Sequence, residues 1–280
     1  MNVSEILNNL NILSEKLFQS VEGQVFEVLD HIILIGSDVL KAEPLAHIFQ
    51  KNSINGIMIL AQAMLLFYVV YYIFSELLSL YNGNQTENIY HFILKLILVA
   101  LLVQNSYFIC EQLLTLMDGL SHAIDVFTQS IIHVDANFTN LKENIISMKD
   151  FMKNDLLSLD GLIKGIISFG AISILISFSI RYVTILFLLL VSPLAIVCMT
   201  SHITKGIFLS WLKLLMTNLL VGIIVKLIIL IPLVYRDTNA VLYKIILVGT
   251  IYILYRLQSF VKELLMRFGV DQPMRNIFKN

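Results

Sequence analysis

Apolar residues in this chain gather into long runs. From about Gly56 to Tyr81 the polar interruptions are Gln62, Glu76 and serines; a second run from about Ile89 to Ile109 has Lys95 and the Gln104-Asn105 pair inside it. A third run covers Leu162 to Thr200 and contains Lys164 and Arg181, and further runs follow from Ile207 to Tyr235 and from about Val241 to Leu257. A bilayer span needs about 20 mostly apolar residues, because hydrocarbon is about 30 Å thick and a helix rises about 1.5 Å per residue. The third run would be about 58 Å long as one helix. A tight hairpin between two spans would carry Gly, Pro, Asn or Asp at its turn, and Ile176 to Thr184 has none of these. The pattern therefore predicts one long helix that projects from the membrane and kinks near Pro193. That gives five spans; a hairpin at Arg181 would give six.

The polar stretches are also patterned. Ile6, Leu10, Leu13 and Leu17 recur at steps of four, three and four, which makes one helical face. A second helix is predicted over Val21 to Ile35, a break at Gly36-Ser37-Asp38, and another short helix from Pro44. These helices are too polar to span, so they are expected to lie on the membrane surface or to pack against a partner. Residues 110–161 read as a helix through about Phe127, an irregular stretch at Asp135-Ala136-Asn137 and a shorter helix from Asn140. The predicted organisation is 1–53 as amphipathic extracytoplasmic helices, 54–109 as two spans, 110–161 as a central extracytoplasmic helical loop, 162–258 as three or four spans, and 259–280 as a basic cytoplasmic tail.

Composition supports the fold class. Apolar residues make up 58% of the chain, charged residues 14%, and mean hydropathy is +0.82, where an ordinary soluble domain carries about 25% charged residues. A soluble enzyme, a disordered tail and a secreted disulfide scaffold are excluded, and a polytopic all-α membrane protein is predicted. With net charge −1 there is no basic field to recruit nucleic acid. Cys110 and Cys198 sit in apolar stretches without metal-ligand spacing. Arg256, Lys262, Arg267, Arg275 and Lys279 outnumber Glu263 and Asp271 after the last span, which favours a cytoplasmic C-terminus. In 1–53 and 110–161 acids outnumber the lysines, which suits the outer side. Raw Lys and Arg counts over short loops favour six spans with both ends inside.

Polar groups inside spans are costly and often functional. Arg181 has apolar neighbours on both sides and no acid near it in sequence. It either lines a water-filled path, or binds a partner's carboxylate, or snorkels to lipid phosphates. Lys95 and Lys226 read as snorkelling or packed in a bundle, and Glu76 as interfacial; Asn218 and Gln104-Asn105 read as interhelical hydrogen-bonding groups. The chain holds no H-E-x-x-H, Walker-type glycine loop or G-x-S-x-G elbow, and its six histidines are scattered. No catalysis, cofactor or metal site is expected.

One segment is distinctive. Ser192-Pro193-Leu194-Ala195-Ile196-Val197 is followed by Thr204-Lys205-Gly206-Ile207-Phe208-Leu209-Ser210-Trp211-Leu212, and Trp211 is the only tryptophan. The segment resembles the central motif of the TrbL family, which includes the sixth component of VirB-type machines. These are polytopic inner-membrane subunits of bacterial type IV secretion systems. In that family a long apolar helix ends in a Pro-containing motif, a Thr-Arg or Thr-Lys pair follows, and an aromatic and a Trp open the next span. Pro193 would kink the helix as it leaves the membrane. Lys205 would lie in a cytoplasmic loop and Trp211 at headgroup depth.

The resemblance implies an outer N-terminus, two spans, an extracytoplasmic central loop, three more spans and an inner C-terminus. It implies a homo-oligomeric subunit at the base of a pilus or stalk, supporting its assembly and the passage of DNA or protein cargo. Its implied partners are bitopic inner-membrane scaffolds, a minor pilin, a small inner-membrane subunit, cytoplasmic ATPases and membrane lipids. Arg181, Lys226 and Lys95 would then serve a translocation path or inter-subunit coupling, and Pro193, Lys205 and Trp211 structural roles. The alternative reading is a stand-alone small-solute channel or transporter with Arg181 and Lys226 as anion contacts.

Overall fold

The computed structural model describes residues 24–36, 38–41, 56–82, 89–147, 159–201, 203–236 and 240–267, together with residues 9, 12, 13 and 16. Among the described residues the elements are helices and there is no strand. They are α1 (Phe26–Ile33), α2 (Asp38–Lys41), α3 (Ile57–Tyr81), α4 (Ile89–Gln104), α5 (Ser106–Ile132), α6 (Phe138–Ser147), α7 (Leu159–Leu190), α8 (Ser192–Val197), α9 (Lys205–Val234) and α10 (Ala240–Arg267). Four of them contain stretches long and apolar enough to cross a membrane: Ile57–Tyr81, Gly165–Leu190, Lys205–Val234 and Val241–Val261. The bent pair α4 and α5 makes a fifth if counted as one span. The chain is a polytopic all-α protein of the multi-pass membrane type.

The long helix predicted through Arg181 is present. α7 runs unbroken past it, so no hairpin turns there, and 162–258 holds the three long helices α7, α9 and α10. α7 ends at Leu190, and after Val191 Pro193 opens α8 in the first turn, where its missing N–H costs nothing. The second predicted span behaves differently. α4 stops at Gln104 and the chain bends by 62° before α5. Asn105 sends both its backbone N–H and its side-chain Nδ2 to the Leu101 carbonyl, at 3.1 and 2.8 Å. A short amide side chain that competes for the helix's own acceptors is a local cause of such a break.

The chain divides into two compact units that interleave along the sequence. One unit comprises the described residues within 1–35, 117–183 and 217–280; the other comprises those within 36–116 and 184–216. In the second unit α8 packs on α3 and α4 around Ala61, Val99, Val103, Ile196 and Val197. Tyr72 and Phe92 stack between α3 and α4 with centroids 3.6 Å apart.

The first unit has the larger core, built from α1, the C-terminal part of α5, α6, α7, α9 and α10. α7 and α10 approach closely at Gly170, where a Cβ would collide with Ile251, and Gln258 Nε2 donates to the Ser177 carbonyl at 2.7 Å. The helix predicted over Val21 to Ile35 is amphipathic as expected, but its apolar face is covered by this chain itself: Phe26, Leu29 and Ile33 are buried in the core. The predicted N-terminal face from Ile6 to Leu17 and the helix from Pro44 lie outside the described residues, apart from single positions.

α5 ends at His133, whose left-handed φ of 59° turns the chain towards α6. The irregular stretch therefore falls where Asp135-Ala136-Asn137 predicted it. α6 is then capped twice. Asn137 Oδ1 accepts the Asn140 N–H at 2.8 Å from within the turn. Asp30, from α1, accepts the Phe138 N–H at 2.7 Å, the Thr139 N–H at 2.9 Å and the Thr139 hydroxyl at 2.6 Å. A carboxylate there meets both the orphan N–H groups and the positive end of the helix dipole. Asp30→Ala should destabilise the protein by about 1–2 kcal/mol, read as a lower Tm in detergent, whereas Glu27→Ala on the exposed face should leave Tm unchanged.

Candidate functional site

The first unit holds two charged groups that lie inside apolar helices, Arg181 and Lys226. Asn218, Gly222 and Lys226 follow one another at steps of four on α9 and so share one face. Arg181, from α7, meets the first two. Its Nε donates to the Asn218 carbonyl at 2.7 Å and its Nη1 to the Ile33 carbonyl at 3.1 Å, with the guanidinium 5.7 Å from the Phe178 ring centroid. The residue is only 3% exposed. It therefore does not snorkel to lipid, and the groups it meets are this chain's own carbonyls.

The Ile33 carbonyl has a structural reason to accept. Ile33 is the last residue of α1, and Leu34 beyond it is extended at φ −101°, ψ 108°, so the Ile33 carbonyl has no intrahelical donor. A cation at the negative end of a helix is favoured by the dipole as well. Gly222 makes the meeting possible. A Cβ at that position would lie 2.8 Å from Arg181 Nη2 and 2.9 Å from the Ile33 carbonyl oxygen. α1 is thus fastened at two points: Asp30, from mid-helix, caps α6, and Arg181 holds the terminal carbonyl of Ile33.

Lys226, one turn beyond Gly222, forms an ion pair with Asp125 Oδ2 of α5. The lysine side chain is 8% exposed and the aspartate side chain 27%. The other carboxylate oxygen, Asp125 Oδ1, is enclosed and has no hydrogen-bond partner among the described residues. Beside the pair is a cavity of about 210 Å³, lined by Asp30, Asp125, Asp135, Asn137 and Lys226 together with apolar residues of α1 and α9. Gln129 Nε2 donates to Asp135 Oδ1 at 2.8 Å. Three carboxylates against one ammonium make the cavity electronegative.

The motif residues lie in the second unit. Trp211 is buried, and its Nε1 donates to the Leu188 carbonyl at 2.9 Å. The indole therefore serves the last turn of α7, where the break before Pro193 frees carbonyls, and its N–H is not left for the headgroup boundary. Phe208 packs beside it at 5.9 Å between centroids. Tyr68 donates its hydroxyl to Thr204 Oγ1 at 2.9 Å, and Thr204 donates in turn to the Cys198 carbonyl at 2.7 Å. Lys205 opens α9 and is exposed. Burial pushes the Cys198 thiol above its ordinary range. Lys95 is half-buried on α4, and on α3 Glu76 keeps one carboxylate oxygen enclosed without a partner among the described residues.

Of the predicted path or coupling residues, the structure brings Arg181 and Lys226 to successive turns of one α9 face and leaves Lys95 in the other unit. Taken singly, Asp30, Asp125 and Gly222 carry no local signal of a site, and Asp135 is legible only as part of an irregular stretch. Asp125 pairs across 101 positions, so no local spacing announces it. The four-residue spacing of Asn218, Gly222 and Lys226 in an otherwise apolar helix is the signal that was available. Among the described residues no group of His, Cys, Asp and Glu side chains is arranged to hold a metal ion.

Gly222→Ala should force Arg181 and α1 apart and cost about 1–3 kcal/mol, as overpacking does. Arg181→Met should cost about 1–3 kcal/mol by stranding the Ile33 carbonyl. Because both changes undo the same contact, the double variant should lose clearly less than the sum in a thermal-unfolding cycle. Trp211→Phe should lower Tm while keeping the helix content seen by circular dichroism, since it strands one carbonyl and removes little apolar area. No family model, curated protein or solved structure matches this chain, so a functional reading rests on its own residues.

Proposed function

We propose that this chain is a TrbL-like inner-membrane subunit of a bacterial type IV secretion system. In this reading it is a homo-oligomeric platform that supports pilus or stalk assembly and the passage of DNA or protein, with its C-terminus in the cytoplasm. The observation that carries the reading is the Pro193 elbow. A long apolar helix stops, Pro193 opens a short helix, Thr204 ties the following turn, and Trp211 on the next long helix reaches back to the carbonyl of Leu188. The residues of the family-like motif are thus the ones that hold the elbow together. Lys205 stands exposed beside it, in a position to meet a neighbouring subunit.

In this reading the machine's ATPases supply energy and this chain supplies a rigid frame. Arg181 contributes by seating α1, and Lys226 by holding α5 against α9. The second reading, a stand-alone solute channel or transporter, is favoured by the charge-lined cavity of the first unit. Its electronegative lining favours cations over the anions that Arg181 and Lys226 alone would suggest.

Tagged protein purified from its native host in mild detergent should bring down secretion ATPases and bitopic scaffolds, identified by mass spectrometry. Isolation alone as a stable homo-oligomer that passes solutes in liposomes would sink the secretion reading. Lys205→Glu should reduce transfer at least about tenfold, the effect of losing roughly 1.4 kcal/mol of coupling, with unchanged Tm and membrane level. Arg181→Glu should abolish transfer while the apolar helices still insert. Normal transfer by that variant would remove Arg181 from the account.

A further inference from the structure

The cavity beside the Asp125–Lys226 pair has features that the frame role does not use. Its carboxylates are not equivalent. Both oxygens of Asp30 are spent on the N-terminus of α6. Asp125 gives Oδ2 to Lys226, and its Oδ1 is enclosed. Asp135 uses Oδ1 for Gln129, which leaves Oδ2. Asn137 uses Oδ1 for the Asn140 N–H, which leaves its amide donors. Asp135 and Asn137 are half-exposed, at an edge of the cavity that solvent can reach.

Lys226 adds an independent constraint. Its side chain is more than nine-tenths buried, and its ammonium carries three donors. Among the described residues one acceptor meets it, Asp125 Oδ2. A buried donor without an acceptor costs about 1–3 kcal/mol, so a ligand that supplies an oxygen here is favoured. The surrounding charge selects further. Three carboxylates around one lysine repel an anion, and a bare inorganic cation would bring no acceptor for the ammonium. The volume, about 210 Å³, corresponds to roughly seven waters at ~30 Å³ each and suits one small organic molecule.

We propose that this cavity binds a small organic cation that carries an oxygen acceptor, with its ammonium group at Asp135 and its oxygen at Lys226. Charge draws the ligand in, and the lysine's spare N–H groups set its orientation. Simple amino alcohols and amino amides have this chemistry. The inference depends on neither the secretion nor the transporter reading, because it concerns binding alone.

Ethanolamine is the probe. Full-length protein in detergent should show a saturable rise in Tm of about 2–4 °C with ethanolamine. Ammonium chloride, acetate and ethylene glycol at the same ionic strength should give none. Asp135→Asn keeps an acceptor for Gln129 and should preserve the resting Tm while abolishing the shift. A calorimetric titration with ethanolamine should show the same loss of binding in that variant. Equal shifts for ethanolamine and ammonium chloride would overturn the role of Lys226. No shift with ethanolamine, or a shift that survives Asp135→Asn, would overturn the site.

Discussion

A guanidinium inside an apolar helix must find acceptors, and Arg181 finds them in the backbone. Solvation by carbonyls is a stringent solution. It needs a carbonyl with an unused lone pair and a path by which the charge can reach it. The end of α1 supplies the first, and the missing side chain of Gly222 supplies the second. The constraint runs in both directions. α1 is an eight-residue helix, shorter than a helix that holds its shape alone in water, and it persists because its apolar face is covered and its last carbonyl is charged against. Remove α1, and a cation is left in the core; remove the cation, and α1 loses its terminal partner. The first unit is built around that mutual need, with Asp30 extending it to α6 and Asp125 repeating the logic one turn further along α9.

The second unit meets a similar problem with neutral groups. A helix that breaks before a proline exposes carbonyls, and these need donors as much as a buried charge needs acceptors. An indole N–H provides one for Leu188, and a Tyr–Thr hydroxyl chain serves the Cys198 carbonyl beyond α8. The exposed charge at Lys205 is thereby separated from the buried hydrogen bonds that fix the elbow.

The parts of this structure that were legible in sequence are those set by local chemistry. Apolar runs gave the long helices, the absence of a turn residue near Arg181 gave its uninterrupted helix, and Pro193 gave the break. The irregular turn at Asp135-Ala136-Asn137 was legible because Asp and Asn satisfy backbone groups outside regular structure. What escaped was long-range. The amphipathic pattern of α1 shows that one face is covered and does not say by what, and the cover turned out to be the chain itself. The Asp125–Lys226 pair, the Asp30 cap and the space at Gly222 join segments about a hundred residues apart or more. Asn105 was visible as a polar residue, but whether it would join helices or break one depended on its rotamer. The candidate site was thus half legible: its two cations were apparent, while its carboxylates and its glycine were not.

The contact between Arg181 and Ile33 joins residues 148 positions apart, and this sets an order of events during synthesis. At about 5–20 residues per second, α1 leaves the ribosome roughly 7–30 s before its anchor exists, and Gly222 follows later still. Through that interval the segment is an amphipathic peptide whose apolar face lacks the cover it has in the folded unit. Its seating is therefore a late step, and assembly of the first unit closes on a segment made well before its anchor.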